Sequence, residues 1–194
     1  MRDKVAKLTS IIVNPFLVNA TLLLIISLKS ADSTAEGVKW FLISVAIGIV
    51  PIFIIVLYLV RHNRVDSLFI NIRTQRDKVY IYSSVLMGTA CAILFFLKAP
   101  VMLVALFVAI FVTGLAFAGV NRWWKISIHV ASIAAAVTAL VILYGSVAAW
   151  TISLVPLVAW GRVKMEHHTL AQVLTGGLLS SLILFLVFLF FKLV

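Results

Sequence analysis

The chain alternates apolar runs, each close to the length of a bilayer crossing, with short polar clusters, and that alternation excludes most folds. A spanning helix needs about 20 mainly apolar residues. Candidate spans run over about 11–28, 38–60, 79–97, 100–120, 126–144, 147–160 and 169–194. The sixth is short, although Gly145 and Gly161 extend it, and Pro156 inside it can introduce a kink. The expected fold is therefore an all-α, polytopic transmembrane helix bundle of about seven spans, with six as the alternative. The composition agrees: 64% of the 194 residues are hydrophobic and 11% charged, whereas soluble domains average about 45–50% apolar and about 25% charged. No linker interrupts the pattern, so the reading is one domain over 1–194. Two N-terminal spans fill 1–60 and a core fills 61–194. Arg2, Lys4 and Lys7 ahead of the first run resemble a signal peptide, but a retained anchor suits a chain that is membranous throughout. The run at 126–144 is rich in small residues (Ala131, Ser132, Ala134, Ala135, Ala136), which favour close helix approach and a central position.

The net charge of +10 is gathered in the polar clusters. Arg61–Lys78, Asn121–Lys125 and Gly161–Gln172 all emerge on one side of a seven-span chain, together with the N-terminus. Lys29, Lys39, Lys98 and Lys192 take the other side. A Lys/Arg excess marks the cytoplasmic side. Short basic clusters between spans suit lipid headgroups or a phosphorylated substrate. No basic element interleaved with aromatics is long enough to track a nucleic acid. The single cysteine, Cys91, lies in an apolar run, which excludes a disulfide framework and a Cys-based metal site.

The three clusters on one face supply the chemistry. In the last, Arg162 precedes His168 and Gln172. The last two are four residues apart at the start of a helix, so they share a face, and Gln172 can hold one ring nitrogen of His168 while the other points outward. In the second, Lys125-Ile126-Ser127-Ile128-His129 opens another helix, and a helix N-terminus presents free N–H groups to a phosphate. In the first, Arg73 and Arg76 offer planar forks that match phosphate oxygens. His62 and His167 read as interfacial residues, Arg61 and Arg64 as topological charges, and Trp123 and Trp124 as belt residues.

In order and spacing these clusters resemble the type 2 phosphatidic acid phosphatases, the membrane branch of the superfamily that includes vanadium-dependent haloperoxidases. That family's signature is K-x6-R-P, P-S-G-H and S-R-x5-H-x3-D. Here the third motif reads Gly161-Arg162-x5-His168-x3-Gln172, the second Ile126-Ser127-Ile128-His129, and the first Phe69-x6-Arg76-Asp77, with Arg73 one turn from the missing lysine. The resemblance covers about Arg61 to the C-terminus. It implies a phosphomonoesterase that needs neither metal nor cofactor and acts on a lipid phosphate, of the phosphatidate or isoprenoid phosphate type. His168 would attack phosphorus, His129 would protonate the leaving oxygen, and Arg76, Arg162 and Ser127, with Arg73 and Lys125, would hold the phosphate. Gln172 stands where the family has aspartate, and orients the ring without adding charge. The alternative is a membrane protein that keeps this fold, binds anionic lipid and has lost catalysis.

Overall fold

The computed structural model describes residues 11–194, so Arg2, Lys4 and Lys7 lie outside the described residues. All regular structure among the described residues is helical. Five helical stretches, Thr34–Arg61, Arg73–Phe96, Val101–Asn121, Ile128–Lys164 and Leu170–Phe190, are long and apolar enough to cross a membrane, and Pro15–Ser30 is a shorter apolar helix. This is compatible with an integral membrane protein. Large apolar side chains such as Val85, Leu178 and Phe190 point outward, as they do where lipid is the solvent. Contacts divide the chain into two compact units, one of Leu23–Trp124 and one built mainly of Lys125–Lys192 with the described residues up to Leu22. The division falls just before the Ile128 helix.

Helix α1, Pro15–Ser30, starts as the Asn14-Pro15 pair dictates. The Leu17 N–H donates to Asn14 Oδ1 at 3.0 Å, and proline at the first helical position gives up an N–H that has no intrahelical partner.

In the Leu23–Trp124 unit, α2 spans Thr34–Ser44 with Ser33 as its N-cap, and α3 spans Val50–Arg61. Between them Val45–Ile49 is π-helical. Pro51 explains the widening, because it lacks an N–H and its ring would strike the carbonyl of Ile47 in a regular α-turn. Gly48 lies in that segment, where an added Cβ would sit 2.9 Å from the Phe107 ring. Helix α4, Arg76–Phe96, follows a 3-10 turn at Arg73–Gln75. Arg76, Asp77 and Lys78 therefore belong to the first turn of a helix. The reading that kept Arg61–Lys78 as one loop placed them outside it. Helix α5, Val101–Asn121, returns antiparallel after the Lys98-Ala99-Pro100 turn. Ala99 N donates to Leu94 O and Lys98 N to Phe95 O, with Lys98 at φ 56; this closes α4 in the Schellman manner.

In the C-terminal unit, α6 is Ile128–Tyr144, a 3-10 segment covers Gly145–Ser153, α7 is Leu154–Lys164 and α8 is Leu170–Phe190. Gly145 turns the chain at φ 60, ψ −136, a conformation open only to glycine. The 3-10 segment and α7 then pack back along α6. At about 2.0 Å per 3-10 residue and 1.5 Å per α residue, Gly145–Lys164 reaches about 34 Å, far more than the short run at 147–160 suggested. Pro156 sits in the first turn of α7, directly after the change from 3-10 to α geometry at Ser153–Leu154, where its missing N–H is tolerated. Ala131, Ala134, Ala136 and Ala139 are all buried on α6, which packs against both α7 and α8.

Helices α6 and α8 run parallel, and glycine sets how close they come. A Cβ on Gly176 would lie 2.9 Å from both Ser127 O and Ile126 Cγ2. One turn further on, Ser180 Oγ donates to Ala131 O at 2.9 Å. The α6 start thus lies beside Gly176, so α8 extends about 9 Å past it at its own N-terminus, and the C-terminus of the antiparallel α7 comes to the same end. Val130, Ile133, Val137, Val158 and Val173 form the core beneath.

Candidate active site

That end of the C-terminal unit gathers Lys125, Ser127 and His129 from the start of α6, Arg162 from the end of α7, and His168 and Gln172 from the start of α8. Ser127, His129, Arg162 and His168 are buried, each no more than 5% exposed. Two parallel helix N-termini direct their positive dipole ends toward this end of the unit, about half an elementary charge each. With Lys125, Arg162 and Lys164 beside them, positive charge is concentrated at this end.

The geometry around His168 differs from a shared helix face. Helix α8 begins only at Leu170, with Thr169 as N-cap, so His168 lies outside the helix. Gln172 reaches it by folding back in a capping box: Gln172 N donates to Thr169 Oγ1 at 3.3 Å, and Thr169 N donates to Gln172 Oε1 at 3.2 Å. His168 Nδ1 is 3.2 Å from the same Oε1. The Thr169 N–H can bond only to an oxygen, so it fixes which end of the amide faces inward. An amide oxygen only accepts, so Nδ1 must carry the proton. In the neutral ring the lone pair is then on Nε2. Thr169-Leu170-Ala171-Gln172 matches the S/T-x-x-E/Q capping pattern, a signal in the sequence that the motif-level reading passed over.

The neighbouring groups are tied in as well. Ser127 is the N-cap of α6, its Oγ accepting from Val130 N at 3.5 Å, and its own N–H donates to Gln172 O at 3.4 Å. The Ser127 N–H, counted among the free amides of a helix start, is therefore occupied in bridging α6 to α8. Lys125 Nζ donates to His167 O at 2.7 Å, which ties the α7–α8 turn to the α6 start. Glu166, in that turn, is exposed and adopts φ 57. Among the described residues no group of three or more His, Cys, Asp or Glu side chains is placed to hold a metal ion.

Arg73 and Arg76 belong to the other unit, where both bond to backbone carbonyls. Arg73 Nη1 donates to the carbonyls of Asn121 and Arg122 at the end of α5, where a cation also meets the negative end of the helix dipole. Asn121, buried at 1% exposure, returns the contact: its Nδ2 donates to Arg73 O at 3.1 Å and to Asp77 Oδ1 at 2.7 Å. Arg76 is buried, and its Nε donates to Ile70 O at 2.8 Å. The loop it braces is folded around Asp66, whose carboxylate accepts from Asn71 N. Partial burial pushes the Asp66 carboxyl up, but bonds from backbone N–H groups and the Ser67 hydroxyl outweigh that and hold it below its ordinary value.

No family model, curated protein or solved structure matches this chain.

Proposed function

We propose that the chain is a lipid phosphatase of the type 2 phosphatidic acid phosphatase kind, multi-pass in the cell membrane with its site at the cytoplasmic surface. The observation that carries this reading is the His168–Gln172–Thr169 arrangement. It gives a buried histidine the tautomer of a nucleophile at an end where two helix dipoles, Arg162 and Lys125 favour an anion. His168 Nε2 forms a bond to phosphorus as the phosphorus–oxygen bond to the lipid alcohol breaks. His129 gives its proton to the leaving oxygen. Arg162 and Lys125 stabilise the charge on the non-bridging oxygens. Water then cleaves the phosphorus–nitrogen bond, releasing phosphate and restoring His168. Every group in this scheme comes from the Lys125–Lys192 unit, and the scheme uses neither metal nor cofactor.

The orientation rests on the Lys/Arg asymmetry of the sequence, and the span count is part of the proposal. With α1, Thr34–Arg61, α4, α5, α6, Gly145–Lys164 and α8 each crossing once, the chain has seven spans. The test is release of inorganic phosphate from phosphatidate in detergent or bilayer, without added metal, by the wild type and His168→Ala. The proposal expects release from the wild type and none from the variant.

One observation favours a second reading, an anionic-lipid binder without turnover. Gln172 Oε1 is shared between Thr169 N–H and His168 Nδ1, and a neutral amide supplies no charge to a phosphorylated, cationic ring. On that reading phosphatidate binds at the same end but no phosphoenzyme forms.

A further inference from the structure

A groove of about 830 Å³ runs between α6, the 3-10 segment with α7, and α8. The catalytic scheme does not use it. Its walls are apolar except for Thr138, Ser181 and Lys164. Lys164 stands at the end where Arg162 and His168 lie, two residues from Arg162 along α7. On α8 the lining extends from Leu170 to Ser181, twelve residues with a rise of about 16 Å. The hydrocarbon core of a bilayer is about 30 Å thick, so the groove has the depth of one leaflet. Its rim is open to the side, since Ile152, Leu174 and Leu178 are lining residues and each is more than half exposed.

We propose that the groove seats one acyl chain of an anionic phospholipid drawn sideways from the leaflet, with the phosphate held at the Lys164 end. Three observations select this occupant. The volume falls within the roughly 300–1,000 Å³ of ordinary ligand sites. The length along α8, about 16 Å, suits an acyl chain confined to one leaflet and is about half of what a second protein's spanning helix would need. The one lining cation, Lys164, stands at the end that also holds Arg162 and His168, where it complements a phosphate. Apolar walls gain nothing by excluding lipid tails from lipid, so selection comes from length and charge. The deep end, at Thr138, Ile152 and Ser181, acts as a ruler of chain length. The inference deepens the phosphatase reading and rests on it for the fate of the headgroup.

The experiment uses the full chain in phosphatidylcholine nanodiscs carrying phosphatidates that differ only in chain length, and reads lipid retention and phosphate release separately. Ser181→Phe narrows the deep end, and Ile152→Trp does the same from an exposed position where folding is not at risk. Each is expected to lower retention of long-chain relative to short-chain phosphatidate by about tenfold, the scale on which apolar pockets discriminate chain size. Leu182→Phe, exposed on the same helix and outside the groove, leaves the profile unchanged. Lys164→Gln lowers the preference for phosphatidate over neutral lipid about fivefold, as one interfacial cation should. A length profile unchanged in both folded groove variants overturns the inference, even where His168→Ala abolishes release. Conversely, a shifted profile in a protein that releases no phosphate keeps the groove and overturns the phosphatase.

Discussion

The parallel contact of α6 and α8 sets the candidate site, and Gly176 is where it can be broken most cleanly. Alanine there would place a Cβ 2.9 Å from a backbone oxygen, Ser127 O, and 2.9 Å from Ile126 Cγ2. The carbonyl cannot rotate away, because Ser127 caps α6, so the helices must part. Gly119 is the control, since its added Cβ meets nothing within 4 Å. Both changes gain the same helix propensity, about 0.8–1.0 kcal/mol, so that contribution cancels between them. What remains is the overpacking at Gly176, about 1–3 kcal/mol. For a domain of this size each kcal/mol shifts Tm by roughly 2–4 °C. Gly176→Ala should therefore melt several degrees below Gly119→Ala when both are heated at one rate in one detergent. Gly177→Ala should fall between them, because its Cβ meets only the Val130 and Ala134 side chains, at 3.4 and 3.6 Å. Equal Tm values for Gly176→Ala and Gly119→Ala would refute the close parallel packing, and with it the placement of His129 and His168 at one end.

Other outcomes follow from single contacts. Gln172→Ala removes the side-chain half of the capping box, at about 1 kcal/mol, and should lower phosphate release by roughly 10–100-fold, the cost of losing a histidine's orienting partner in metal sites. Gln172→Glu keeps the box and puts a charge beside Nδ1, so release should exceed that of the wild type, measured under the same conditions. Asn121→Leu strands Asp77 and frees the α4 start from the α5 end, and should cost about 1–3 kcal/mol in thermal stability; Asp77→Asn, which still offers an oxygen, should cost less. The Asp66 carboxyl has a folded pKa below its ordinary 3.8. Its contribution to loop order is therefore complete above that value and lost as pH falls through the lower folded one. Exchange of the Asn71 amide should accelerate only in that acid range, and Asp66→Asn should abolish the pH dependence.

The helices are legible in the sequence because each is written locally. Pro15 after Asn14, Ser33, Pro100 and the Ser127 cap announce their starts, and the apolar runs give their lengths. Arg162, His168 and Gln172 are legible for the same reason, since their spacing falls within one short stretch. The spacing also points to a link between His168 and Gln172, but for another cause: the helix begins after His168, and the capping box makes the contact. Features that depend on distant residues stay hidden. The bonds between Arg73 and Asn121, 48 residues away, leave no mark in the local pattern. The leaflet-deep groove is equally invisible, because its lining alternates with buried residues on three separate segments. Apolar content alone underestimates the length of Gly145–Lys164, because it carries no sign of 3-10 geometry.

If the site works as proposed, His168 forms a covalent bond to phosphorus during each turnover. Brief reaction with phosphatidate labelled at the phosphate, then denaturation and peptide mapping, tests this directly. The expected result is an acid-labile, base-stable label on the peptide containing His168, absent from His168→Ala and enriched in His129→Ala when a good leaving group removes the need for its protonation. Phosphate release by the wild type with no label at His168 under any quench, or undiminished release by folded His168→Ala, would overturn it.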